Sequence, residues 1–176
     1  SPSLKEDKAW VYWRGRALAA NGKHVEARQE RIKARSPFSF YGKLAHEELG
    51  DTVTAPKRPE LLTAAELDAA KKNPGLIRSL ALYDAGLRTE GFWEFNLQVA
   101  QMNDRQLLAA ATWAERNQLY DRAIAAADRT EAEHDLGLRY LTPFRDNMRA
   151  KTKEIGVDES WVYGLIRQES RFVTIA

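Results

Sequence analysis

The chain has 176 residues, 44% of them apolar and five of them tryptophan, which is enough material for a packed core and excludes a disordered chain. Its 27 Lys and Arg nearly balance 25 Asp and Glu, for a formal net charge of +2, so composition makes no electrostatic case for nucleic acid as a partner. Cysteine is absent, which removes disulfides and cysteine metal sites and fits both the cytosol and an oxidising compartment; no stretch reads as a secretory signal or a membrane span.

Trp10, Trp13, Ala17 and Ala20 recur at helical spacing and predict a first helix, ended by Asn21-Gly22, which tolerate positive φ. A second pattern runs through Val25, Ala27, Arg28, Ile32 and Ala34 until Ser36-Pro37 breaks it. A third runs from about Phe38 through Tyr41, Leu44, Ala45 and Leu49 to Gly50. Asp51 to Pro59, with Pro56 and Pro59 and little apolar periodicity, is expected to be a surface loop.

Helices resume at about Thr63 to Lys72, are punctuated by Asn73-Pro74-Gly75, and continue as Leu76 to Leu87, Gly91 to Met102, Asp104 to Arg116 and Leu119 to Ala127. Strand-like alternation is almost absent. The expected fold is all-α: short antiparallel helices on tight turns, stacked into an α-solenoid because no single hairpin buries its own apolar face. Trp10, Trp13, Trp93 and Trp113 fall on periodic apolar positions and read as core. His24, His46 and His134 are far apart and lack metal-ligand spacing, so neither a metal nor a cofactor is expected.

Near the C-terminus, Thr142 reads as an N-cap with Pro143 at the first helical position of a helix over 142–155. Gly156 supplies its left-handed cap, and Asp158 caps a last helix over 158–171. On that helix, at about 100° per residue, Trp161, Val162, Leu165, Ile166 and Phe172 share an arc of about 140°, and Glu169 projects near its middle. A carboxylate held among apolar groups resists ionisation, so burial there raises its pKa and suits it to donate a proton. Trp161 is expected to pack beneath this acid, and Glu159 to be a capping or surface carboxylate.

The octet Leu165-Ile166-Arg167-Gln168-Glu169-Ser170-Arg171-Phe172 resembles the catalytic-glutamate motif of the soluble lytic transglycosylases, periplasmic enzymes that cut the glycan strand of peptidoglycan. Arg139 to Asp146 is similar to the entry of that family's catalytic lobe. Tyr12 to Ala17 and Phe40 to Ala45 look like segments of its superhelical domain, and all stand in the family's order. The resemblance implies a superhelical domain over 1–138 and the start of a lysozyme-like catalytic domain over 139–176.

It also implies Glu169 as a single catalytic acid/base, Ser170 as a supporting hydroxyl, peptidoglycan glycan strands as substrate and the periplasm as location. Other cell-wall enzymes are potential partners. The family's Gly-Leu-Met-Gln segment and its later Asn and Tyr motifs do not follow Phe172, so activity is not expected of residues 1–176 alone. The competing reading is a helical binding module that recruits a protein partner or organises cell-wall enzymes without chemistry of its own. It accounts for stacked helices equally well, but not for the octet.

Overall fold

A computed structural model describes residues 7–174. All regular structure among them is helical, and they fall into two compact units that divide between Lys57 and Arg58, inside the extended segment expected from Pro56 and Pro59. None of these helices is long and apolar enough to cross a membrane.

The first unit holds α1 (Lys8–Ala20), α2 (His24–Ala34) and α3 (Phe40–Leu49). Asp7 caps α1 by accepting the Ala9 amide at 2.8 Å. Ser39 caps α3 by accepting the Gly42 amide at 3.0 Å, and Gly50 ends α3 in the left-handed conformation. Val11, Tyr12, Ala34 and Ala45 form its core, with Tyr41 and Leu44 against it. Small residues set the helix spacing. A Cβ on Gly42 would lie 2.6 Å from the Ser36 backbone, and one on Gly15 would lie 3.3 Å from the Ala27 carbonyl oxygen, so both positions exclude any side chain that cannot yield.

Glu30 is buried in this unit. Burial alone pushes its carboxyl up, but hydrogen bonds from Lys33 and Arg14 outweigh that and hold it below the usual range. Trp10 and Trp13, expected in the core, are 62% and 51% exposed. The buried face of α1 runs through Val11, Tyr12 and Gly15 instead, one position off the tryptophan stripe. Trp13 keeps its ring contacts to Tyr12 and Tyr41, at 5.7 and 6.4 Å between centroids.

The second unit holds α4 (Ala64–Lys71), α5 (Pro74–Asp84), α6 (Arg88–Val99), α7 (Asp104–Arg116), α8 (Tyr120–Asp128), the short α9 (Leu136–Arg139), α10 (Arg145–Ile155) and α11 (Glu159–Glu169). Start signals in the sequence become caps. Thr63 with Glu66 and Asn103 with Gln106 close reciprocal capping boxes, and Asn73 caps α5 with Pro74 at its first turn.

Leu76, Phe95, Val99, Leu108 and Ile124 are fully buried in the centre of this unit. The alanines of α7 and α8 let those two helices pack closely. Trp113 is core as expected, whereas Trp93 is 65% exposed because α6 turns Gly91, Phe95 and Val99 inward.

Two polar devices tie the loops down. Asp104 accepts the amides of Glu131, Ala132 and Glu133 at 2.7 to 3.1 Å, which orders the chain between α8 and α9. Arg105 grips Glu66 at 2.7 and 2.8 Å and the carbonyls of Glu60 and Leu61. Hydrogen bonds from Arg105, and from the backbone and hydroxyl of Thr63, hold the Glu66 carboxyl down to about 2.

The entry to α10 departs from the sequence expectation. The helix begins at Arg145, not at Pro143, and its cap is Phe144 at φ 59° with no side-chain hydrogen bond. Thr142 therefore caps nothing. Pro143 stands in a turn whose carbonyl accepts the Tyr163 hydroxyl at 2.9 Å, and this bond, not a Thr142 cap, fixes the start of the pair. α9 was not expected from the sequence, since four residues carry too little periodicity to see.

Candidate active site on the last helix

Asp158 starts α11 by accepting the amides of Ser160 and Trp161 at 2.7 and 3.2 Å. The helix faces the core through Tyr163 and Ile166, with Tyr163 buried. Burial pushes the Tyr163 hydroxyl up, and the nearby Glu159 adds to this. Glu159 sits in the first turn as expected, 3.8 Å from Arg145 and 3.5 Å from Arg149.

Trp161, Leu165 and Glu169 occupy one strip, at spacing i, i+4, i+8, as the arc predicted, but the strip faces solvent. Trp161 is 64% exposed and Leu165 46%, so neither packs beneath an acid. Glu169 is itself exposed and lacks the apolar enclosure expected from the helical arc. The reason is rotational: the inward arc is centred on Tyr163 and Ile166, and Trp161 and Leu165 lie off it. Among the described residues no hydrogen bond or ion pair engages the Glu169 carboxylate, which leaves both oxygens open to a ligand.

Ser170 ends the helix, and its hydroxyl donates weakly to the Ile166 carbonyl at 3.4 Å, not to Glu169. Beyond it, Arg171 and Phe172 take φ of 49° and 66°, two successive left-handed residues without a glycine. This turn folds the chain back and buries Phe172 against Tyr163 and Tyr120, with ring centroids at 5.9 and 6.5 Å. Strain of this kind persists only where surrounding contacts over-determine it.

One turn before the end of the helix, Arg167 reaches back across the unit. Its Nη2 donates to both oxygens of Asp128, at 3.0 and 2.9 Å, and its Nε donates to the Arg139 carbonyl at 2.9 Å. Its guanidinium also lies 5.1 Å from the centre of the Tyr140 ring. Asp128 in turn has Arg139 at 3.6 Å and Arg171 at 4.0 Å. Arg139, Arg167 and Arg171 all fall inside segments that the sequence singled out, but their common partner closes α8 after an alanine run, where nothing in the sequence marks it.

No group of three or more His, Asp or Glu side chains among the described residues is placed to hold a metal ion.

No protein-family model and no curated protein matches the chain. Solved structures do. The lytic transglycosylase Slt of Pseudomonas aeruginosa, solved as an inactive glutamate-to-glutamine mutant, matches with a TM-score of 0.68 at 24% identity, over 100% of this chain and 29% of its own. The 70-kDa soluble lytic transglycosylase in complex with bulgecin A matches with a TM-score of 0.61 at 23% identity, over 97% of this chain and 28% of its own. The 70-kDa enzyme of Escherichia coli gives 0.59 at 22%, over 97% and 27%. The chain therefore has the all-helical fold of a part of the soluble lytic transglycosylases, and it spans under a third of the length of these structures.

Proposed function

We propose that the chain is part of a peptidoglycan lytic transglycosylase, with Glu169 as its single catalytic acid/base and Ser170 in support. The observation that carries this reading is the placement of the octet's carboxylate. Among the described residues Glu169 has no protein partner at the end of α11, on an open strip with Trp161 and Leu165, while Arg167 before it and Phe172 after it are held in place. The fold likeness to lytic transglycosylases supports it. In functional terms residues 1–138 are the superhelical part and 139–176 the start of a lysozyme-like lobe. Peptidoglycan glycan is the substrate and the periplasm the location.

Glu169 donates its proton to the oxygen of the β-1,4 bond between N-acetylmuramic acid and N-acetylglucosamine, the bond from C1 to that oxygen breaks, and the leaving strand departs. The carboxylate then takes the proton of the muramoyl C6 hydroxyl as that oxygen closes on C1. The product is a 1,6-anhydro sugar and no water is consumed. The sugar's own N-acetyl group can stabilise C1 between the two steps, in place of the second carboxylate that ordinary glycosidases use. Because Glu169 is exposed, the exclusion of water from the reacting bond has to arrive with the glycan.

The test is Glu169→Gln in the full-length protein, assayed on purified sacculi with mass spectrometry of the products. The amide keeps the shape and has no proton to give, so release of 1,6-anhydromuropeptides should fall by at least the roughly 10²–10⁴-fold that a positioned acid/base contributes. Reducing-end, water-added products from wild type would point to a hydrolase. Wild-type rates from Glu169→Gln would remove the assignment and leave the helical binding module.

A further inference from the structure

Among the described residues Glu169 has no partner of its own, so something else must fix where it points. Its helix meets the core through the buried Tyr163 and the partly buried Ile166. What α11 does have, two residues before the carboxylate, is a three-point attachment at Arg167: both oxygens of Asp128, the Arg139 carbonyl and the Tyr140 ring. A planar guanidinium held at three points fixes rotation about the helix axis as well as position, more tightly than non-directional apolar contacts do.

The attachment is also substantially shielded. The Arg167 and Asp128 side chains are 23% and 29% exposed, unlike the open surface pairs that contribute little. Asp128 closes α8, whose Ala123, Ile124, Ala126 and Ala127 are buried in the unit's core, so the anchor stands on well-packed structure. Arg171 approaches the same carboxylate from the other side of Glu169, at the strained turn. Glu169 is thus bracketed by two arginines that converge on one aspartate.

We infer that Asp128 is a positioning residue for Glu169: through Arg167 it sets the rotation of α11 that presents the carboxylate, so the helical part of the chain takes part in catalysis without touching substrate. The inference rests on the reading of Glu169 as the acid. It assigns a catalytic dependence to a residue outside the proposed catalytic lobe, 41 positions before Glu169 in the sequence.

The test compares Asp128→Asn and Arg167→Lys with wild type in the full-length protein, on a soluble glycan fragment. Asn keeps the shape but not the charge; Lys keeps the charge but cannot hold two oxygens and a carbonyl together. Each should lower kcat by about tenfold to a hundredfold, the scale of a misplacement of about 1 Å, with KM little changed. Amide exchange over 164–170 should quicken while that of α7 and α8 stays as in wild type. A purely structural role would instead lower Tm and leave kcat per folded molecule unchanged.

Either variant within twofold of wild-type kcat, or exchange over 164–170 unchanged, overturns the inference. Failure of the parent reading looks different: wild type and Glu169→Gln then release anhydro product equally, or neither does. That result removes the catalytic dependence along with the acid, and quickened exchange would then mark Asp128 as a structural anchor only.

Discussion

The α7–α8 hairpin and the α10–α11 pair are built from the same kind of element, yet they are held by different forces. In α7 and α8, Leu107, Leu108, Trp113, Ile124 and a run of alanines are buried, and close packing of small side chains sets the geometry. In α10 and α11 the buried residues are Thr152 and Tyr163. That pair is placed by two polar contacts, Tyr163 on the Pro143 carbonyl and Arg167 on Asp128, together with the returning Phe172 ring. Dispersed apolar packing is non-directional and adds up over many atoms. A few directional bonds fix orientation more tightly but fail one at a time. The candidate carboxylate lies on the second kind of support, where orientation matters and bulk stability does not.

The largest effect that separates the two regions is expected at the centre of the core. Phe95→Ala removes a fully buried ring and should cost about 3–5 kcal/mol, read as a fall in the urea midpoint for the second unit. The whole unit should feel it, α10 and α11 included, because their anchor Asp128 stands on α8. A loss confined to exchange in α5 and α6 would show that the core and the terminal pair do not share stability, and would break the comparison.

A smaller effect is expected from acid. The Glu66 carboxyl is held down to about 2, against an ordinary 4.5, by hydrogen bonds from Arg105 and Thr63. Its folded pKa is the lower one, so the stabilisation is fully present above about pH 4.5 and is lost as pH falls towards 2. Glu66→Gln should therefore be less stable than wild type at neutral pH, and the Tm difference should narrow over that window. A constant difference from pH 7 to pH 2 would show that Arg105 does not depend on that charge.

How much of this was legible in the sequence follows the same division. Helix ends were readable where a cap residue meets a periodic run, as at Gly50, Gly156 and Asp158, because capping is a local interaction. Asp104 to Arg116 was placed to the residue. What was not readable is which of two adjacent apolar stripes turns inward. On α1, α6 and α11 large aromatics suggested one face, and smaller residues or Tyr163 took the core instead.

Rotation of a helix about its axis is decided by its neighbours, and the polar neighbour that α11 meets through Arg167 is Asp128, 33 residues before Trp161 and without any local signature. Helical periodicity put Glu169 on one strip with Trp161 and Leu165. It did not show that the strip is open.

The smallest stability effect is expected on that strip, and it sharpens the comparison most. Trp161 is 64% exposed and Leu165 46%, so Trp161→Ala and Leu165→Ala give up little buried area and should leave stability within about 0.5 kcal/mol of wild type. For residues this large the result would be anomalous if they belonged to a core. On the proposed function the same strip faces the glycan beside Glu169, and an exposed indole face there is placed to stack on a sugar ring. The expected pair for Trp161→Ala is thus an unchanged Tm with weaker glycan cleavage in the full-length protein. A Tm loss approaching that of Phe95→Ala would mean that Trp161 is covered in solution, and Glu169, two turns along the same strip, would then be covered with it.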